Sequence, residues 1–332
     1  MKRKISRGMQ LFRVGEWLFS KVPFMFIPLF LGALENHGPR GIGMGGACAS
    51  YFCYLVFFYS FGYAVNDFSD RDIDKLVGKT NIMAELRRAQ CIGILFCLVL
   101  GCVPLALVRL NFVGPVMLAF VYFFGAAYSL KPLRFKERGV AGLLVSALAQ
   151  RTIPLLPLVN LSAGFWKPVT LLGGLGFLVG MRYILIHQSL DQDNDRQSGT
   201  RTFVGKNGRR VKALIRVCFV LECIVLTGVC VRYLGLAVSA VLLLVYIAQS
   251  LLTSYTMRSF YRKSYFFSFV CVPLEDVYSF YLPLILLLRL LQTSLWWSLP
   301  AFLLLLIGVK PMLQKWKTAV FAITHRRRSS DG

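Results

Sequence analysis

Long apolar runs recur along almost the entire chain, and they limit its fold more than any other feature. Each run approaches the roughly 20 residues that a helix needs to cross about 30 Å of hydrocarbon. The 332 residues are 56% hydrophobic and have a mean hydropathy of +0.62, which is too apolar for a soluble domain of this length. The sequence therefore predicts an all-α, polytopic bundle of transmembrane helices that forms one domain over residues 1–332.

Ten apolar segments are candidate membrane spans. The last two are separated only by Gln292–Ser294, so both nine and ten spans are compatible with the sequence. The segments are residues 18–34, 44–65, 89–108, 112–128, 140–159, 169–190, 211–231, 234–254, 272–291 and 295–309.

Lys and Arg residues are concentrated in alternate loops, as expected for loops that remain in the cytoplasm. They crowd residues 1–16, the loops after the second, fourth, sixth and eighth segments, and the tail at 313–332. This pattern predicts that both termini are cytoplasmic and that the number of spans is even. Membrane topology also explains the net charge of +23, because the chain has no recognisable nucleic-acid module and no nucleic-acid partner is predicted.

The scarce carboxylates are clustered. Of 15 acidic residues, seven fall in two short segments on the predicted cytoplasmic side. Asp67, Asp70 and Asp74 are spaced i, i+3, i+7 and share one face if the second helix continues beyond the membrane, while Asp191 and Asp195 are spaced i, i+4 at the end of the sixth. Asp72 and Asp193 complete the two clusters, which we expect to face each other.

Several converging carboxylates repel one another unless a cation lies between them. Mg²⁺ prefers oxygen ligands and commonly combines a few carboxylates with the phosphates of a substrate. The two clusters therefore predict a magnesium site that binds a diphosphate. The alternative is that these are solvated acids at helix ends, balanced by Arg71, Lys75 and Arg196.

Three segments resemble the UbiA superfamily of intramembrane prenyltransferases. Asn66–Asp74 matches its NDxxDxxxD signature, Asp191–Asp195 resembles its second DxxxD element, and Tyr128–Lys136 resembles its YSxxPxRxK segment. The resemblance covers roughly residues 17–255. It implies a Mg²⁺-dependent enzyme that transfers a prenyl group from an isoprenyl diphosphate to an aromatic or lipid-like acceptor in contact with membrane lipids.

The resemblance, together with the charge pattern, assigns roles to individual residues. The expected metal ligands are Asn66, Asp67, Asp70, Asp74, Asp191 and Asp195. The expected diphosphate-binding residues are Asn66, Lys131, Arg134, Lys136 and Arg182. The expected catalytic residues are Asp67, Asp70, Asp191, Asp195, Tyr128, whose ring would stabilise an allylic cation, and His187, which would accept a proton or orient a carboxylate.

The acceptor is not identified. Lys79-Thr80-Asn81 differs from the RxxRP pattern of many quinone-pathway members, whereas His187-Gln188 and Gly199–Thr202 resemble a bacterial branch of the superfamily, which implies a bacterial inner membrane. The charge pattern predicts that the site faces the cytoplasm. Phosphoribosyl transfer to a polyprenyl phosphate, terpenoid cyclisation and ion-coupled transport stay open as alternatives. Trp17 and Lys21 are interpreted as interfacial anchors of the first helix.

Overall fold

A computed structural model describes residues 8–35, 43–76, 78, 80–103, 113–190, 192, 203–260 and 276–330. These residues are predominantly helical and contain no β-strand. A one-turn helix at Val14–Trp17 precedes the main helices. The main helices are α1 Val22–Leu34, α2 Gly43–Leu76, α3 Arg88–Leu100, α4 Val113–Ser129, α5 Val140–Leu161, α6 Trp166–Leu190, α7 Phe203–Leu234, α8 Leu236–Phe260, α9 Val277–Leu291 and α10 Ser298–Ser330.

The polytopic helical bundle expected from the sequence is confirmed, and every predicted apolar segment contains helix. The last helix runs on to Ser330, through the region that the sequence predicts as a tail. By length and composition, five of the described helices can cross a membrane: Gly43–Leu76, Val140–Leu161, Trp166–Ser189, Arg210–Leu234 and Leu295–Gln314. The remaining apolar helices are shorter: Val22–Leu34, Arg88–Leu100, Val113–Ser129, Leu236–Ala248 and Val277–Leu291.

Helix α2 is longer than a bilayer is thick. Its 34 residues rise about 50 Å at roughly 1.5 Å per residue, against about 30 Å of hydrocarbon. Its first two thirds are rich in Phe and Tyr, and the sequence becomes polar from Asn66 onward. The acidic residues therefore lie on a helical extension beyond the apolar part, as the i, i+3, i+7 spacing requires.

Helix α5 is interrupted by Pro154, which lacks the N–H that would bond the carbonyl of Gln150 four residues earlier. The helix widens there into a π-turn over Leu148–Thr152. Hydroxyls from α2 dock on this irregular backbone: Tyr59 donates to the Gln150 carbonyl at 3.0 Å and Tyr51 donates to the Pro154 carbonyl at 3.1 Å. The interruption therefore fixes α5 against the aromatic part of α2.

Helices α5 and α6 approach closely where α6 carries Gly176 and Gly180. A Cβ atom at Gly180 would lie 2.6 Å from the carbonyl oxygen of Ala147, and one at Gly176 would lie 2.7 Å from that of Arg151. Glycines four residues apart allow such approach because they leave a flat helix surface. The spacing of α6 from α5 depends on this surface.

Aromatic rings fill the centre of the bundle and aliphatic side chains cover part of its exterior. Trp17 stacks on Tyr59, and the contacts continue along α2 through Phe58 and Tyr54 to Tyr51. Large apolar side chains are exposed on several outer helices, as lipid contact requires. Examples are Ile92, Phe96, Ile224, Val241, Leu244, Phe302 and Leu306.

Candidate active site

The polar extension of α2 turns three carboxylates toward the protein and one toward solvent. Asp67 and Asp74 are buried and Asp70 is partly buried, whereas the side chain of Asp72 is 89% exposed. Residues three or four apart lie on one helix face, and a residue two positions away points elsewhere. The inner face thus carries Asp67, Asp70 and Asp74, and Asp72 stands outside it.

Each inner carboxylate has a polar partner from another part of the chain. Nη2 of Arg13 donates to Oδ1 of Asp67 at 2.8 Å. Nζ of Lys136 donates to Oδ1 of Asp70 at 2.5 Å. Nδ2 of Asn81 donates to Oδ2 of Asp74 at 2.8 Å and also to the carbonyl of Asp67 at 2.8 Å. The N-terminal segment, the loop between α2 and α3 and the loop between α4 and α5 therefore converge on the acidic end of α2.

The loop between α4 and α5 supplies the densest contacts with α2. Nη2 of Arg134 donates to Asp70 at 3.2 Å, and its Nη1 donates to Oγ of Ser69 at 2.9 Å. The Ser69 hydroxyl donates to the Ser129 carbonyl at 2.6 Å. These bonds hold the loop across the acidic face of α2.

Asn66 lies within the same network. Its Oδ1 accepts from Oγ of Ser129 at 3.1 Å and from Nζ of Lys136 at 3.3 Å, so Lys136 bridges Asn66 and Asp70. Burial lowers the pKa of Lys136, and the negative charge of Asp70 opposes that shift. Asn66, Asp70, Arg134 and Lys136, which the sequence predicts as site residues, are thus brought together.

Other predicted site residues lie at the edge of this cluster or elsewhere. Lys131 is exposed in the loop and Tyr128 is half-buried at the end of α4. His187 is exposed near the end of α6. Asp191 and Asp195 lie outside the described residues, so their expected approach to α2 stays a prediction.

Arg182 is the predicted diphosphate ligand that the structure places in a different environment. Its side chain is fully buried, and its Nε and Nη2 donate to the two carboxylate oxygens of Glu222 at 2.7 and 2.8 Å. The hydroxyl of Tyr278 donates to the same carboxylate at 3.0 Å. These described partners belong to α7 and α9 rather than to α2. A charge inside a membrane bundle requires a buried counter-charge, and Glu222 provides it for Arg182. The geometry therefore supports a structural role for Arg182.

The donor chemistry on α2 suits a hard divalent cation. The side chains of Asn66, Asp67, Asp70 and Asp74 offer oxygen ligands, as Mg²⁺ prefers. Within the described part of the chain, no group of three or more His, Cys, Asp or Glu side chains is arranged to hold a metal ion. The sequence predicts further ligands at Asp191 and Asp195, which lie outside the described residues.

Three residues that contact α2 were not among the site residues predicted from the sequence: Arg13, Lys21 and Asn81. Arg13 and Lys21 flank the start of the first apolar segment, on the side of the membrane predicted for the acids, and that placement was the available signal. Lys21, which the sequence suggests as an interfacial anchor, also contacts α5, since its Nζ lies 3.3 Å from Oε1 of Gln150. Asn81 carried no signal beyond its place in the loop after the first acidic cluster.

Comparison with known proteins gives one family and one fold. A model of the UbiA prenyltransferase family matches residues 23–270. No curated protein matches the chain. Among solved structures, a UbiA homolog from Archaeoglobus fulgidus bound to DMAPP and Mg²⁺ has a TM-score of 0.51 and 16% identity, over 65% of this chain and 76% of that one.

Two further structures of a UbiA homolog from the same organism are similar. The form bound to GPP and Mg²⁺ has a TM-score of 0.52 and 14% identity, over 73% of this chain and 87% of that one. The form bound to Cd²⁺ has a TM-score of 0.53 and 13% identity, over 82% of this chain and 94% of that one. At these identities the similarity concerns the fold.

Proposed function

Because the chain belongs to the UbiA prenyltransferase family, we propose that it transfers a prenyl group from an isoprenyl diphosphate to an acceptor within the membrane. The observation that carries this proposal is the bridge from Lys136 to both Asn66 and Asp70, with Arg134 beside it. Carboxylates for a metal and cations for a phosphate are thereby held together at one end of the bundle. The homolog structures with DMAPP or GPP and Mg²⁺ support an isoprenyl diphosphate as donor.

The proposed site has two halves. Asn66, Asp67, Asp70 and Asp74 would hold Mg²⁺ from α2, and the predicted second acidic cluster would hold it from the end of α6. The bound metal would neutralise negative charge on the diphosphate. Arg13 donates to Asp67 at 2.8 Å, and Lys136 donates to Asp70 at 2.5 Å. Both cations therefore lie beside the proposed metal ligands, where they would balance the charge of an incoming diphosphate.

In the proposed reaction, the bond between C1 of the prenyl chain and the diphosphate oxygen breaks, and its electron pair leaves with that oxygen. An electron pair of the acceptor forms the new bond to C1, and the acceptor loses a proton. Lys136 and Arg134 stabilise the charge that builds on the leaving group, a kind of contribution that is often worth about 100-fold or more in rate. We assign the aromatic face of Tyr128 to the allylic cation and His187 to the released proton.

The test uses the purified full chain in lipid nanodiscs with radiolabelled geranyl diphosphate and a membrane lipid extract as the source of acceptor. We expect diphosphate release and a labelled prenylated product, both of which require Mg²⁺ and stop with EDTA. Lys136→Gln and Asp70→Asn should each lower kcat/KM about 100-fold, because one removes a cation from the leaving group and the other removes a metal ligand. Lys310→Gln, on an exposed site of α10, is the control and should retain activity.

The outcome also separates the alternatives. Release that is unaffected by Asp70→Asn would contradict the proposed site. A cyclic hydrocarbon or cyclic alcohol formed without an acceptor would indicate terpenoid cyclisation, and diphosphate released only from a phosphoribosyl donor would indicate phosphoribosyl transfer. An absence of release from every donor would favour ion-coupled transport.

A further inference from the structure

Two arginines from different helices meet at Tyr233, the residue before the last of α7. Arg232 precedes this tyrosine in α7, and Arg289 lies near the end of α9. Nη1 of Arg289 donates a hydrogen bond to the backbone carbonyl of Tyr233, and the guanidinium carbon of Arg232 lies 5.5 Å from the centroid of the Tyr233 ring. Tyr233 therefore holds the two cations near each other.

This group lies at the end of the bundle away from the acidic cluster. The hydroxyl of Tyr233 donates to Oε1 of Glu35, which directly follows α1, at 2.7 Å. Trp296, which follows α9, packs beside the start of α2, where a Cβ atom on Gly45 would lie 3.2 Å from its ring. Helix α2 carries its acidic residues at the other end. We call Glu35, Arg232, Tyr233 and Arg289 the arginine rim.

The arginine rim has more positive than negative charge. Nη2 of Arg232 lies 3.5 Å from Oε1 of Glu35, and 63% of the Arg232 side chain is exposed. Among the residues that the structure describes, no carboxylate forms an ion pair with Arg289. A guanidinium has five N–H donors, and the bond to the Tyr233 carbonyl uses one of those on Arg289. Two guanidinium groups thus face one carboxylate, and donors remain for an anion.

Exposed apolar side chains border the arginine rim. Leu236 follows Arg232 by four residues, Leu288 is next to Arg289, and Leu295 opens the short helix after α9; all three are exposed. Apolar side chains that are exposed on a membrane bundle contact acyl chains. Trp296 is also exposed, and tryptophan is enriched where acyl chains meet the head groups. The rim therefore combines a surface for acyl chains with positive charge at the level of the head groups.

We propose that Arg232 and Arg289 bind the phosphate of an anionic phospholipid whose acyl chains lie against the exposed leucines. Guanidinium groups match the geometry of phosphate through paired N–H donors. An anionic head group suits the arginine rim better than a zwitterionic one, because the arginines repel the cation that a zwitterionic head group carries. The bound lipid joins the ends of α7 and α9. This site is independent of the proposed prenyl transfer.

The test measures which lipid Trp296 meets. The full chain is placed in phosphatidylcholine nanodiscs that contain a fixed fraction of either brominated phosphatidylglycerol or brominated phosphatidylcholine, since bromine quenches the fluorescence of a tryptophan that it contacts. The part of the quenching that is lost in Trp296→Phe belongs to Trp296. We expect brominated phosphatidylglycerol to be enriched about fivefold there, which is the effect of one basic side chain at an anionic lipid surface.

Charge variants of the arginine rim should move this enrichment in both directions. Arg232→Gln and Arg289→Gln should each remove most of it, because each removes one cation. Glu35→Gln should increase it, since this change removes the negative charge while the amide oxygen still accepts from Tyr233. Lys167→Gln is the matched control, because it removes an exposed cation at the start of α6 and should leave the enrichment unchanged.

Equal quenching by the two brominated lipids in the wild-type chain would overturn the proposal. Enrichment that persists when both arginines are replaced by glutamine would also overturn it, and so would a loss in Lys167→Gln, which would indicate a general attraction to positive charge. If the arginine variants do not fold, Glu35→Gln still decides. Increased enrichment in that variant supports the lipid site, and unchanged or reduced enrichment contradicts it.

Discussion

At the scale of single residues, the side chain of Asn81 makes three hydrogen bonds within the acidic cluster. Its amide nitrogen donates to Asp74 and to the carbonyl of Asp67, and its carbonyl oxygen accepts from the backbone N–H of Ala84 at 3.2 Å. The side chain is buried, with 6% exposed. It therefore joins the end of α2 to the short helix Ile82–Glu85 that follows.

We predict that Asn81→Ala lowers the free energy of unfolding by about 1–3 kcal/mol, because it leaves buried polar groups without partners. Asn81→Asp should lower it too in the absence of Mg²⁺, since a carboxylate cannot donate to Asp74 and repels it, and bound Mg²⁺ should offset part of that repulsion. Thermal unfolding in detergent and a Mg²⁺ titration measure the two effects. Thr170→Ala, which removes an exposed hydroxyl bonded only within α6, is the control. An Asn81→Ala variant as stable as this control would contradict the prediction.

At the scale of helices, Gly180 sets the distance between α5 and α6. We predict that Gly180→Ala destabilises the fold by about 1–3 kcal/mol, because the added Cβ meets backbone atoms of Ala147 rather than a flexible side chain. Catalytic activity should fall as well, since α6 leads into His187 and the second acidic cluster. Unfolding in detergent and kcat/KM give the two readouts.

Gly174→Ala is the matched control for this substitution. Gly174 is on the same helix, and a Cβ atom there would have no neighbour within 4 Å. Alanine has the higher helix propensity, so this variant should be as stable as the wild type or slightly more stable. Equal losses of stability at both positions would show that packing against α5 does not control the result.

The buried pair of Arg182 and Glu222 joins α6 to α7. Removal of one partner leaves an uncompensated charge in the bundle, so Arg182→Met and Glu222→Met should each cost about 3–5 kcal/mol. The double variant should recover much of that loss, because it removes both charges together. A double-mutant cycle of unfolding free energies measures the coupling.

Two results would bear directly on this pair. Arg71→Ala removes one partner of a solvent-exposed contact with Asp72 at 3.7 Å and should change stability by less than about 1 kcal/mol. Additive losses in the Arg182→Met/Glu222→Met double variant would contradict the structural role of the pair and would return Arg182 to consideration as a diphosphate ligand.

At the scale of the whole molecule, the contacts of Asp67 and Asp70 place the N-terminal segment, the end of α2 and the α4–α5 loop at one end of the bundle. Helix α6 begins at Trp166 and ends near the predicted second acidic cluster. If that cluster lies beside α2, Lys167 lies on the opposite side of the membrane. From the positive-inside rule we predict that the acidic end faces the cytoplasm.

This orientation is tested with a membrane-impermeant maleimide in a variant that lacks the nine native cysteines. We predict that Lys167→Cys reacts in intact cells, whereas Asp72→Cys reacts only after the membrane is opened. Both positions are exposed, so burial does not limit the reaction. Labelling of Asp72→Cys in intact cells would reverse the assigned orientation.

The linear sequence pattern was sufficient to predict the membrane bundle, the order of its helices and the acidic face of α2. Hydrophobic length and helical spacing are local properties, and a helix of 34 residues displays Asp67, Asp70 and Asp74 on one face regardless of its neighbours. The basic loop was also predictable, because Arg134 and Lys136 lie close together in a recognisable segment. These features need no knowledge of which helices pack together.

Tertiary packing decided which cation each acid meets. The sequence predicted Arg182 at the diphosphate, yet the nearness of α7 gives it Glu222, and Arg13 takes a place on Asp67, 54 residues away in the chain. Such pairings depend on helix rotation and on the break at Pro154, which brings Gln150 toward Lys21. Charge determines that a buried cation needs a partner, but only the three-dimensional arrangement determines which partner is within reach.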